Sequence, residues 1–220
     1  MRAPLCIGMD SAWPDAPVRA LQQALENIPE NQVVAVALSG GTDSVALALV
    51  AAQVCAQRGQ SLYFFHIHHG LMPEADVWAE HLGEFARALK VPLLVRHVQV
   101  DLGQGLGTEA AAREARYRAL AALADEHQVV ALLLAHHQQD QAETVLLRLL
   151  RGAGVMGLSA MQEDVTRQGM RLLRPWLDID RKELVAIAQE FANRTGWQAV
   201  QDPSNNDPQY KRGAFRTELL

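Results

Sequence analysis

The chain has 220 residues, of which 49% are hydrophobic and 20% charged, and its formal net charge is −5. This composition is typical of one globular domain and argues against a surface coated with basic side chains for nucleic acid. The two cysteines, Cys6 and Cys55, are too few for a disulfide framework, and the absence of Cys-x-x-Cys disfavours a thiolate zinc site or a redox dithiol. The sequence has neither a signal-peptide pattern nor a run of about 18 apolar residues. We therefore expect a cytoplasmic protein with no membrane partner.

Short apolar runs rich in β-branched residues recur along the chain and predict strands buried on both faces of a sheet. They cover residues 33–38, 62–67, 93–98 and 129–135. Helical patterns lie between and after them, at 44–57, 75–89, 109–126, 139–150 and 180–193. This alternation predicts an α/β fold with a doubly wound parallel sheet, in which ligands bind beyond the carboxyl ends of the strands.

The segment Ser39-Gly40-Gly41-Thr42-Asp43-Ser44 joins the first predicted strand to the first predicted helix. Successive backbone N–H groups, two serine hydroxyls and a helix N-terminus form a cradle that suits phosphate. The absence of a lysine excludes the usual P-loop, and the spacing does not fit Gly-x-Gly-x-x-Gly. Asp43 adds a carboxylate, which suits a divalent cation bridging it to phosphate. A tight turn that needs glycine only for close packing is the simpler alternative, but it explains neither the serines nor Asp43.

All 8 histidines lie between positions 66 and 137. His66, His68 and His69 fall at the end of the second predicted strand, without a cysteine or a closely spaced carboxylate to complete a zinc site. A strand-end site that contacts nucleotide or substrate is therefore favoured over zinc. Packing in the core is the simpler explanation for His66.

The segment "AHHQQDQAET" follows the fourth predicted strand. His136, Asp140 and Glu143 have the spacing i, i+4 and i+7, so they share one helix face if the helix begins early enough. That face would present an imidazole and two carboxylates at the mouth of the sheet, where the carboxylates could bind an ammonium group. A solvated acidic first turn is the alternative, because carboxylates are favoured near helix N-termini.

Two further features are less specific. The glycine-rich segment 103–108 does not have the spacing of a dinucleotide fingerprint and is at most a lid. Several arginines could together bind the phosphates of a nucleic acid, although each alone is typical of a solvated face. They are Arg113, Arg116, Arg118, Arg148, Arg151, Arg171 and Arg174.

These segments resemble a known family over roughly residues 33–216. "SGGTDS" is similar to the pyrophosphate-binding loop of the N-type ATP pyrophosphatases, the PP-loop enzymes with an adenine nucleotide alpha hydrolase-like fold. The segments after it have the order found in bacterial tRNA(Ile)-lysidine synthetases: "HHGLM", "EAAAREARY", "AHHQQDQAETVLLRLLRGAGVMGLSAM", "RPWLDIDRKEL" and "DPSNNDPQYKR".

The resemblance implies a ligase that uses ATP and Mg²⁺ to form a carbon–nitrogen bond. It would adenylate the C2 oxygen of the wobble cytidine in a tRNA(Ile) with a CAU anticodon, and the ε-amine of free L-lysine would then displace AMP. The nucleotide would be held by Ser39, Gly40, Gly41, Thr42, Asp43, Ser44 and His69, with Asp43 linked to Mg²⁺. By the family's pattern, Asp43, His136 and Arg113 are catalytic, and Asp140 and Glu143 hold the lysine substrate.

The chain departs from the family's pattern at two positions. Gln139 replaces the first of two adjacent aspartates, so no charge or metal role is predicted for it, and Gly213 stands where the family usually has asparagine. The predicted organisation is an N-terminal extension over 1–30 and a PP-loop catalytic domain over 31–216. Residues 217–220 are predicted to begin a linker to C-terminal tRNA-binding domains that this chain lacks. A homodimer is compatible with these features.

Other functions compete with this interpretation. A tRNA thiolase of the same fold generally relies on cysteines, often in Cys-x-x-Cys, which the chain lacks. An ammonia-dependent amidating synthetase does not account for "AHHQQDQAET" or "RGAGVMGL". A nucleotide-binding module without catalysis leaves the joint presence of Asp43, His136, Asp140 and Glu143 unexplained.

Overall fold

Strands and helices alternate in the computed structural model, which describes residues 13–68, 70, 74–99, 108–150, 152 and 160–200. Within these residues the strands are β1 (Val33–Ala37), β2 (Ser61–His68), β3 (Leu93–His97), β4 (Val129–Leu133), β5 (Asp164–Arg167) and β6 (Met170–Leu173). The helices are α1 (Asp15–Ala24), α2 (Thr42–Gln57), α3 (Ala75–Leu89), α4 (Thr108–Glu126), α5 (Gln138–Leu150) and α6 (Arg181–Thr195).

The strands form one six-stranded sheet in the order β3-β2-β1-β4-β6-β5. All neighbouring strands are parallel except β5, which pairs antiparallel with β6 at the edge. The predicted doubly wound α/β fold is confirmed. The β5–β6 hairpin was not predicted, because its strands are only four residues long and alternate polar with apolar residues. Gln168 and Gly169, at φ 52° and 78°, make its two-residue turn.

Two layers of side chains cover the sheet. One apolar cluster lies between the sheet and helices α1, α2, α3 and α6, and the other lies between the sheet and α4. Helix α2 packs against the sheet as well as against α1 and α6, so it is apolar on nearly every side. Its N-terminus is thereby fixed at the carboxyl edge of β1.

Helix α1 and the turns after it pack onto this core. The indole Nε1 of Trp176, which is fully buried, donates to the carbonyl oxygen of Pro17 at 3.0 Å. The guanidinium of Arg58 donates to the carbonyl oxygens of Leu25 and Ile28 at 2.9 and 3.2 Å. Residues within the predicted 1–30 extension therefore contribute to the core, and the domain boundaries stay a prediction. Among the described residues, no helix combines the length and apolar character needed to cross a bilayer.

Candidate active site at the carboxyl edge of the sheet

The loop between β1 and α2 is held by its own serine hydroxyls. The Ser44 hydroxyl donates to the carbonyl oxygen of Gly41 at 2.9 Å and accepts from the backbone N–H of Gly40 at 3.2 Å. The hydroxyls of Ser39 and Ser44 lie 3.0 Å apart. Gly41 is the N-cap of α2, so the loop leads directly into a helix N-terminus, where backbone N–H groups favour an anion.

Gly40 links this loop to Val200, the last residue that the structure describes. Its φ of 99° lies in the region that favours glycine, and its carbonyl oxygen accepts from the N–H of Val200 at 2.9 Å. A Cβ at this position would lie 3.2 Å from Cγ2 of Val200. Glycine is therefore required here both by conformation and by close approach.

His137 is the residue at which the loop and α5 meet. Its Nε2 lies 3.6 Å from Oδ2 of Asp43 and 3.4 Å from Oδ2 of Asp140. Its backbone N–H also donates to Oδ2 of Asp140 at 3.1 Å, and the side chain is 1% exposed. The imidazole thus lies between a carboxylate of the loop and a carboxylate of α5.

Sequence reasoning selected His136 and missed His137, although a signal was present. Side chains of an extended segment alternate between the two faces of a sheet. His137 forms an isolated parallel bridge with Trp176 beyond the end of β4. By this alternation it shares the face of Leu133, which belongs to the core cluster on the α2 side. His136 is half-buried and precedes α5, which begins at Gln138.

Asp43 is held in its ionised form by two basic partners. Oδ1 accepts a hydrogen bond from Nε of Arg181 at 3.2 Å, and Oδ2 faces His137. Burial acts to raise the pKa of Asp43, but the hydrogen bond from His137 and the charge of Arg181 outweigh it and hold the pKa below its ordinary value. The carboxylate therefore carries its negative charge at neutral pH.

Asp140 and Glu143 are both buried on α5, at 8% and 2% exposed. They are three residues apart and so lie on the same helix face. The structure therefore brings Asp43, His137 and Asp140 together and places Glu143 one turn further along α5. The lysine-binding role assigned to Asp140 and Glu143 remains a prediction.

Gln139 connects α5 to α6. Its Nε2 donates to Oδ1 of Asp180 at 3.2 Å, and its Oε1 accepts from the backbone N–H of Arg181 at 3.1 Å. Asp180 is the N-cap of α6, and the backbone N–H of Lys182 together with the Gln139 amide holds the pKa of its carboxyl low. The amide therefore positions the helix that carries Arg181 to Asp43. An open pocket beside it is lined by Gln139, Asp180, Arg181, Lys182 and Val185.

The histidines at the end of β2 have separate surroundings. His66 is buried, and its Nδ1 lies 2.8 Å from the carbonyl oxygen of Leu38, just before the loop. Nε2 of His68 lies 3.0 Å from Oδ1 of Asp76, and its ring centre is 4.3 Å from that of His97. No group of three or more potential metal ligands occurs in the part of the chain that the structure describes. His69 lies outside the described residues.

Arg113 lies on α4, with its guanidinium carbon 5.2 Å from the ring centre of Tyr117. This places it on the α4 side of the sheet, whereas Asp43 and His137 contact the α2 side. Its predicted catalytic role stays a prediction. Arg151, Gly213 and residues 103–107 lie outside the described residues.

Comparisons with known proteins bear on this geometry. A family model described as a PP-loop domain matches residues 15–220. A protein of Bordetella parapertussis named tRNA(Ile)-lysidine synthase is 53% identical over 203 residues, which is 92% of this chain and 58% of that protein. Proteins with the same name from Ralstonia nicotianae and Pseudomonas aeruginosa are 50% and 46% identical, covering 84% and 91% of this chain but 40% and 44% of theirs. The chain thus spans about half the length of these curated relatives.

Among solved structures, the U34-tRNA thiolase NcsA from Methanococcus maripaludis matches with a TM-score of 0.69 at 17% identity, covering 85% of this chain and 65% of that one. A glutamine-dependent NAD+ synthetase from Acinetobacter baumannii matches with a TM-score of 0.52 at 16% identity, covering 79% and 31%. At such identities the two structures share the fold with this chain and nothing further is transferred from them.

Proposed function

Because this chain belongs to the PP-loop domain family, we propose that it carries the catalytic domain of a tRNA(Ile)-lysidine synthase. One observation carries the proposal. Asp43 of the Ser39–Ser44 loop and Asp140 of α5 both lie close to the imidazole of His137. This arrangement supports the proposal, because it would set a loop suited to phosphate beside acidic side chains that suit an amine. The three relatives reported above are each named tRNA(Ile)-lysidine synthase, which supports the proposed activity.

The first step is adenylation of the wobble cytidine of a tRNA(Ile) with a CAU anticodon. The C2 oxygen attacks the α phosphorus of ATP, a new P–O bond forms, and the bond to the β phosphate breaks to release pyrophosphate. The loop N–H groups and the N-terminus of α2 would hold the departing phosphates. This explains why the loop needs no lysine: it binds the leaving group and does not bind the transferred one.

Asp43 fits a role beside the phosphates. Its carboxylate is ionised at neutral pH and lies in the first turn of α2. Mg²⁺ bound to Asp43 and the phosphates would neutralise the charge that develops on pyrophosphate. Arg181, whose side chain is 45% exposed, is the partner that the metal would displace from the carboxylate.

The second step joins lysine to the activated base. The ε-amine attacks C2 of the adenylated cytidine, the C–O bond to AMP breaks, and the amine loses its surplus proton. Asp140 and Glu143 are buried carboxylates on one face of α5, and they would hold the lysine substrate through its ammonium group. Buried carboxylates favour such a partner, because an ionised group in the interior is costly without one.

The test is a product assay with the full-length protein. ATP, Mg²⁺, labelled lysine and tRNA(Ile) bearing CAU should yield labelled tRNA, AMP and pyrophosphate, and tRNA with a different anticodon should stay unlabelled. Transfer of sulfur without lysine would overturn the proposal, as would pyrophosphate release with ammonia as the acceptor and no tRNA.

A further inference from the structure

A group of arginines surrounds Tyr117 on the α4 side of the sheet. Tyr117 is 2% exposed, and the guanidinium carbon of Arg167, from β5, lies 3.9 Å from the centre of its ring. That of Arg113, from α4, lies at 5.2 Å. Arg174, the residue after β6, lies close enough to Tyr117 for the phenol to act on the pKa of its guanidinium. Three separate segments thus bring guanidinium groups to one phenol ring.

Arg174 is the unusual member of this group. It is only 8% exposed, and arginine is almost never fully buried unless it is paired with an opposite charge. Its Nη1 donates to the carbonyl oxygen of Gln162 at 2.7 Å, whereas its Nε is buried without a hydrogen-bond partner. Within the described residues no carboxylate forms an ion pair with it. Burial, together with the charges of Arg113 and Arg167, lowers the pKa of its guanidinium.

The charge around Tyr117 is unbalanced. In the described residues, Oε2 of Glu114 lies 2.7 Å from Nη2 of Arg167. Of Arg113, Arg167 and Arg174, Arg167 alone pairs with a carboxylate within the described residues. An excess of charge near a buried guanidinium is costly, and an anion bound there would reduce that cost. The planar fork of arginine matches the oxygens of phosphate.

The position of this group relates it to the reaction. Arg174 follows β6 directly, and the carbonyl oxygen of Leu173 accepts from the N–H of Leu134 at 2.9 Å, beyond the end of β4. Arg174 and His136 therefore lie at the same carboxyl edge of the sheet. Arg174 contacts the α4 side, however, whereas the Ser39–Ser44 loop lies on the α2 side. A ligand phosphate here would be a different group from the pyrophosphate of ATP.

We propose that Arg113, Arg167 and Arg174 bind a backbone phosphate of the RNA close to the nucleotide that is modified. This inference rests on the proposed function, since it takes the polynucleotide as the substrate. The phosphate would give the buried guanidinium of Arg174 an anionic partner, and it would hold the RNA strand across the carboxyl edge of the sheet.

The experiment measures tRNA binding by the full-length protein between about 50 and 200 mM salt. Arg174→Gln and Arg167→Gln should each raise the Kd up to about tenfold and reduce the slope of log K against log salt by about 0.7 to 0.9, the change for one lost phosphate contact. The KM for ATP should stay unchanged. Arg96→Gln is the matched control, because it removes an arginine of β3 that is 36% exposed and pairs with Glu126 at 2.5 Å, away from the group around Tyr117.

A salt slope equal to that of Arg96→Gln in both cluster variants would overturn the inference. So would a raised KM for ATP with an unchanged Kd for tRNA, since that assigns the arginines to the nucleotide. If Arg174→Gln fails to fold, Arg167→Gln decides the matter, because its side chain is about a third exposed, at 34%. A wild-type protein that binds tRNA but forms no lysidine would contradict the proposed function instead, and the product assay reads that outcome separately.

Discussion

The imidazole of His137 separates two carboxylates that come from different helices. Asp43 belongs to α2 and Asp140 to α5, and both lie within 3.6 Å of Nε2 of His137. Two carboxylates in a shared, mostly buried site repel each other unless a donor lies between them. His137 therefore holds the carboxylates of Asp43 and Asp140 at a fixed separation.

This geometry predicts different effects for substitutions at the two adjacent histidines, His136 and His137. His137→Gln should slow pyrophosphate release by about 100-fold, the scale of a lost general acid–base or orienting group. His136→Gln should have a smaller effect, because His137 lies within 3.6 Å of both Asp43 and Asp140 and is 1% exposed, whereas His136 is only half-buried. Single-turnover release of pyrophosphate measures both variants, with circular dichroism to verify folding. The opposite ranking would show that His136 is the histidine that acts.

His66 gives a pH dependence of stability. Burial lowers its pKa below the ordinary value of 6.5, and this outweighs the hydrogen bond to the carbonyl oxygen of Leu38, which acts to raise it. As the pH falls below about 6.5, the unfolded chain binds a proton at His66 that the folded protein does not, so the free energy of unfolding falls. The wild type should therefore lose stability more steeply than His66→Gln between pH 7.5 and 5.5.

Urea unfolding at several pH values measures this difference. The excess slope of the wild type should reach at most about 1.4 kcal/mol per pH unit, the limit for one proton. The other histidines are common to both proteins and cancel in the comparison. Parallel stability curves would mean that His66 is not the titrating group.

At the scale of elements, the loop before α2 depends on the segment after α6. Val200 donates to the carbonyl oxygen of Gly40, and Nε2 of His81 on α3 lies 2.8 Å from the carbonyl oxygen of Gln198. The ring of Trp197 stacks on that of His81, with the centres 4.4 Å apart. The segment from Trp197 to Val200 is thus held between α3 and the Ser39–Ser44 loop.

Gly40→Ala should disturb this contact. The new Cβ would meet Val200 at 3.2 Å, and φ of 99° is unfavourable for alanine. We expect a loss of about 1–3 kcal/mol in the free energy of unfolding, together with weaker ATP binding. Gly41→Ala is the control for stability, because the nearest atom to its Cβ is Oγ of Ser39 at 3.8 Å and its φ is −69°. Equal unfolding free energies for the two variants would contradict the expectation.

At the scale of the whole molecule, α1 supports the site from a distance. It packs on α2, the helix whose N-terminus carries the loop, and Leu21 is fully buried between them. Leu21→Ala should cost about 2–5 kcal/mol of unfolding free energy, the range for a buried leucine truncated to alanine. Val18→Ala, on the same helix and only partly buried, should cost clearly less. Urea unfolding measures both, and similar losses would mean that α1 does not pack as described.

The sequence alone determined the alternation of the first four strands with helices, the loop at Ser39–Ser44 and the family. These features depend on neighbours along the chain: apolar residues repeat with the period of a strand or a helix, and the glycines and serines of the loop are consecutive. The short β5–β6 hairpin and the contribution of α1 to the core were missed, since strands of only four residues and a helix that follows one proline and contains another give weak local signals.

Only the tertiary structure decided which side chains meet. Arg181 reaches Asp43 across 138 positions of sequence, because α6 packs beside α2. His137 contacts Asp43 and Asp140 because the face of an extended segment after β4 depends on its pairing with Trp176, and the role of His136 stays a prediction. The burial of Arg174 likewise follows from the placement of β6 against α4 and β4. The chemistry of each residue can be read from the sequence, but its distances to other groups are set by the order of strands in the sheet.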